Sequence, residues 1–67
     1  MSISLHEAIG QAQTAFDSGD YRSAVETCSR IIDQYPHYTS AQRLLGQAYL
    51  EQGQPAEAES WFARLLA

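Results

Sequence analysis

Gly19 and Gly53 stand 34 residues apart, and each ends a run of about 13 residues whose apolar positions recur at helical spacing. A period of this size is the signature of a chain built from stacked supersecondary units, each too small to bury its apolar face alone. Shifting the sequence by 34 lays Gln13 on Gln47, Gly19 on Gly53, Ala24 on Ala58 and Arg30 on Arg64. The same shift lays Cys28 on Phe62, Ile31 on Leu65 and Ile32 on Leu66. The matches fall at the helix stop and along an apolar stripe, where helix packing would require them. The repeat therefore predicts two equivalent helical hairpins.

Local signals place four helices. Ser4 followed by Glu7 reads as a capping box, with Ile3 at the preceding apolar position, and predicts a helix from Leu5 to Asp17 that Gly19 stops in a left-handed conformation. Asp20 caps a second helix from Tyr21 to about Gln34, and Pro36 ends it by disfavouring helical geometry in the residue before it. Thr39 with Gln42 reads as another capping box, opening a third helix that Gly53 stops. Pro55 suits the first turn of a fourth, where its missing N–H costs nothing, and that helix runs through Trp61 and Phe62 to the chain end. The class expected is all-α, with residues 1–67 as a single domain and repeats of about 5–38 and 39–67.

Within the first hairpin, Ala8, Ala12 and Ala15 form a stripe of small residues opposite Ala24, Cys28 and Ile31. In the second, Leu45, Gly46 and Tyr49 face Ala58, Phe62 and Leu65. Small residues at each crossing let the helix backbones approach closely, and the short turns make the pairing antiparallel.

Composition narrows the partners. Eight acids against four arginines, with no lysine, leave a net charge of −4, so neither nucleic acid nor an anionic membrane is an expected partner, because both need a basic patch. The single Cys28 cannot close an internal disulfide, which favours a reducing, cytoplasmic setting. No apolar run approaches the ~20 residues of a membrane span, and the first ten residues, MSISLHEAIG, lack the basic start and apolar centre of a signal peptide.

These residues resemble the tetratricopeptide repeat, a helix–turn–helix unit whose pattern runs from a Trp-like position through a Leu-Gly pair, a Tyr, an Ala, an aromatic and a second Ala to a closing Pro. Leu45-Gly46, Tyr49, Ala58 and Phe62 follow that series closely in the second copy. In the first, Ala12 and Ala15 take the Gly and Tyr places, Gly19-Asp20-Tyr21 forms the turn, Ala24 fits, and Pro36 closes. The departures are Ala8 and Gln42 at the Trp-like position, Cys28 for the aromatic, and Ile31 and Leu65 at the second Ala.

The resemblance implies two hairpins stacked as a fragment of a right-handed superhelix, whose first helices line a groove for a peptide or protein segment. Carried over residue by residue, the groove positions are His6, Ile9, Gln13, Phe16 and Asp17 in the first repeat and Ser40, Arg43, Gln47, Leu50 and Glu51 in the second. The clamp by which one subclass holds a chaperone's C-terminal carboxylate is not expected, since Ile9, Gln13 and Leu44 occupy its places. Ile9, Phe16 and Leu50 leave two readings open, as ordinary core between repeats or as ligand contacts.

No chemistry-bearing constellation emerges. Cys28 sits on the core-facing stripe away from either histidine, and His6, Cys28 and His37 lack metal-ligand spacing, so neither a catalytic residue, a metal nor a cofactor is expected. Asp17-Ser18-Gly19-Asp20 reads as a helix stop and cap, because the rest of a calcium loop does not follow. Glu57 and Glu59 do not share a helix face. The function expected is non-enzymatic protein–protein interaction. Its alternative is self-association as a homodimer, or a scaffold module of a larger protein. Two repeats without a polar capping helix leave Trp61, Phe62, Leu65 and Leu66 as the expected contact between copies.

Overall fold

The computed structural model describes residues 4–66, which form α1 (Leu5–Asp17), α2 (Tyr21–Gln34), α3 (Thr39–Glu51) and α4 (Pro55–Leu66). The apolar position expected at Ile3 lies outside the described residues. Ser4 caps α1 as its sequence predicts: its Oγ accepts from the Glu7 N–H at 3.1 Å. Asp20 caps α2 in the same way, its carboxylate accepting from the Ser23 N–H at 3.3 Å.

The two hairpin turns are copies of one another. Gly19 (φ 83°) and Gly53 (φ 76°) both take the left-handed conformation that only glycine adopts without strain. Around the first, the Asp20 N–H donates to Ala15 O at 2.9 Å and the Gly19 N–H to Phe16 O at 3.0 Å. Around the second, Gln54 donates to Tyr49 O at 2.9 Å and Gly53 to Leu50 O at 3.0 Å. These are the paired bonds of a Schellman stop, and they satisfy carbonyls that the end of a helix leaves without partners.

The start of α3 departs from the sequence expectation. Tyr38, not Thr39, is the N-cap: its backbone is extended, its C=O accepts from the Gln42 N–H at 3.2 Å, and its side chain makes no cap bond. Thr39 is already helical, so the Thr39–Gln42 capping box does not form. The Gln42 side-chain amide instead reaches back across the connection and donates to Pro36 O. Gln42 is only 9% exposed, and this bond gives the buried amide the partner that its burial demands.

α1 packs along α2, α2 along α3 and α3 along α4, with a smaller contact between α1 and α3. Since α1–α2 and α2–α3 are both joined by short connections and run antiparallel, α1 and α3 lie side by side and point the same way. The expected crossing residues Ala8, Ala12, Ala24, Cys28, Ile31, Leu45, Gly46 and Ala58 are buried, whereas Ala15, Tyr49, Phe62 and Leu65 are half-buried. Ala12, Cys28, Leu44 and Leu45 form one core cluster; Ala8, Ile31 and Ala41 form another, and Ile9 and Ile32 pack against both.

Candidate functional site

The face shared by α1 and α3 contains ten positions expected to line a groove. Eight of them, His6, Gln13, Asp17, Ser40, Arg43, Gln47, Leu50 and Glu51, are exposed. The other two, Ile9 and Phe16, are half-buried and pack against the core cluster, which favours core over ligand contact for their apolar bulk. Phe16 is further held by Tyr21 at the start of α2, with ring centroids 5.3 Å apart in an edge-on arrangement. Leu50, its equivalent one repeat later, is 49% exposed. Proline stands at position 55 where the first repeat has Tyr21, so no ring is offered there to cover Leu50.

Polar chemistry along this face is sparse. The Gln13 amide donates to the Asp17 carboxylate at 3.0 Å, one turn away on α1. Glu51 ends α3 as Asp17 ends α1, and Arg43 is the one arginine on this face.

At the other edge of the molecule the four residues expected to join two copies divide. Leu66 is 89% exposed. Trp61 and Leu65 are half-buried, and the Arg64 guanidinium lies 4.7 Å from the Trp61 ring centroid as a cation–π contact. Phe62 is half-buried against Gly46, at a distance so short that a Cβ added to Gly46 would stand 2.7 Å from Phe62 Cε1. Phe62 is therefore committed in large part to closing its own hairpin.

Cys28 is 0% exposed, and burial pushes its thiol up to about 11, which keeps it protonated and unreactive near neutral pH. Among the described residues no group of three or more His, Cys, Asp or Glu side chains could hold a metal ion. A hollow that sequence reasoning missed lies between the α2–α3 connection and the end of α4, lined by Pro36, His37, Thr39, Gln42, Arg64 and Leu65. Only the packing of α4 brings Arg64 near His37, and no local motif announces that meeting.

The sequence model of the tetratricopeptide repeat matches residues 9–67, most of the chain. The chain belongs to the tetratricopeptide repeat family. No curated protein and no solved structure is significantly similar to it. Tetratricopeptide repeats generally serve protein–protein interaction, and the all-α architecture of helical hairpins described above is that of the family. No helix among the described residues is long and apolar enough to cross a membrane.

Proposed function

We propose that this tetratricopeptide-repeat chain is a non-enzymatic interaction module that binds a peptide or protein segment along the face formed by α1 and α3. Residues 5–38 and 39–67 act as its two repeats within one domain. The observation that carries the reading is the set of exposed side chains on these two parallel helices, with the half-exposed Leu50 as an apolar anchor among polar groups. Covering Leu50 with a partner's side chain would remove apolar surface from water, which favours association. A reducing, cytoplasmic setting accords with a single, fully buried cysteine. Backbone amide shifts in the ¹⁵N-labelled chain on titration with candidate segments test the reading. Perturbations confined to the row from His6 to Asp17 and from Ser40 to Glu51 would support it, and perturbations confined to the Glu26 and Ser60 faces would refute it.

A second reading is a homodimer formed through Trp61, Leu65 and Leu66, with Phe62 behind them. It is favoured by the 89% exposure of Leu66 beside two further half-buried apolar residues. Sedimentation equilibrium of the chain against its Leu66→Ser variant distinguishes the two, because only the dimer reading predicts a mass that falls with the substitution.

A further inference from the structure

We infer, resting on the α1/α3 reading above, that the segment this face takes is basic and apolar, and that its cations lie at the Asp17–Glu51 end, beside Leu50. The fold separates charge along its length. The second halves of α1 and α3, the first halves of α2 and α4, and the turns that join them carry six of the eight acids and one of the four arginines. Both histidines lie at the opposite end. Of the six acids, Asp20 caps α2, Glu57 stands in the first turn of α4, where a carboxylate is favourable, and Glu26 pairs with Arg22 at 3.5 Å.

Asp17 and Glu51 are placed differently. Each is the last residue of its helix, at the negative end of the helix dipole, and neither α1 nor α3 has a basic residue in its last turn. Because α1 and α3 run the same way, the two unfavourable ends lie at the same end of the molecule. Among the described residues neither carboxylate has a cationic partner; Asp17 has only the neutral Gln13 amide. Leu50 adjoins Glu51 on this face and is half-exposed. An apolar side chain of a ligand on Leu50, flanked by arginine or lysine over the two carboxylates, removes apolar surface from water and supplies the cations that both helix ends lack.

The test uses the full chain and short fluorescein-labelled peptides of repeating Arg-Leu-Ser triplets, with Glu-Leu-Ser and Arg-Ser-Ser peptides as counterparts. Anisotropy should show tightest binding of the Arg-Leu-Ser peptide, weakening as salt rises. The double variant Asp17→Asn/Glu51→Gln should weaken it about three- to tenfold. Glu57→Gln/Glu59→Gln, which removes the same charge from the same end but on α4, off the α1/α3 face, should leave it within about twofold. Leu50→Ser, at an exposed site, should weaken the Arg-Leu-Ser peptide and leave Arg-Ser-Ser unchanged. Equal losses in the two double variants, preference for the Glu-Leu-Ser peptide, or no binding of the Arg-Leu-Ser peptide would each overturn the inference. If the Glu-Leu-Ser peptide binds with amide shifts on α1 and α3, the face stands and its ligand chemistry falls; if the Arg-Leu-Ser peptide binds with shifts on α2 and α4, the face itself falls. Shifts at Leu50 that grow with protein concentration alone would assign the face to a second copy and overturn the inference as well.

Discussion

Gly46 offers the sharpest test of the hairpin packing. A Cβ added there would meet Phe62 Cε1 at 2.7 Å, Cζ at 3.0 Å and Cδ1 at 3.1 Å. Carbon pairs sit best about 3.5–4.0 Å apart, so the ring must retreat by about 1 Å from a helix against which it is already seated. Overpacking of this kind costs about 1–3 kcal/mol. Replacing an interior helical glycine by alanine gains about 1 kcal/mol in helix propensity, which opposes that cost. Gly46→Ala should therefore lie between neutral and about 2 kcal/mol destabilising. Gly10 supplies the control, being helical with nothing within 4 Å of an added Cβ, so Gly10→Ala should stabilise by about 0.5–1 kcal/mol. In a Phe62→Ala background the clash is gone, and Gly46→Ala should stabilise like Gly10→Ala. Urea unfolding followed by Trp61 fluorescence and far-UV circular dichroism measures all four arms of that cycle. If Gly46→Ala stabilises the wild-type chain as much as Gly10→Ala does, the close approach of α3 and α4 at this crossing is refuted.

Three other outcomes are expected. Gly19→Ala and Gly53→Ala should each cost about 1–2 kcal/mol, and by nearly equal amounts, because both residues hold positive φ in the same hydrogen-bonded stop; thermal melts showing no loss at either would contradict the turn geometry. Gln42→Ala should lose about 1–2 kcal/mol by stripping Pro36 O of its donor, whereas Thr39→Ala, at a residue that does not cap, should change the urea midpoint little. Cys28, whose thiol is raised from 9.0 to about 11 by burial, keeps its proton in the folded chain while the unfolded thiol ionises, so its contribution is complete below pH 9 and is lost as pH rises towards 11. The Cys28→Ala variant should lose that component of the alkaline decline, and identical pH profiles for both chains would count against the thiol's burial.

Helix ends were readable in the sequence wherever the deciding bond spans only a few residues. Ser4 to Glu7, Asp20 to Ser23 and the two glycine stops are such bonds, closed within one turn, and the structure forms all of them. The 34-residue spacing adds that the glycine stop of one hairpin recurs in the other. At Thr39 the same reasoning fails because the path of the α2–α3 connection decides which residue enters the helix first. That path carries the Pro36 carbonyl over Gln42, and a buried amide takes the nearer acceptor. Tertiary structure also separates Phe16 from Leu50, equivalent by spacing but unequal in surroundings, since Tyr21 closes over one and Pro55 follows the other. It likewise turns a list of acids scattered through the chain into one charged end, because antiparallel hairpins fold the close of each first helix against the start of the next. Periodicity and capping are properties of neighbours along the chain, and these the sequence determines by itself. Exposure, close approach and the summed field of distant charges depend on which helices meet, and only the packed structure decides them.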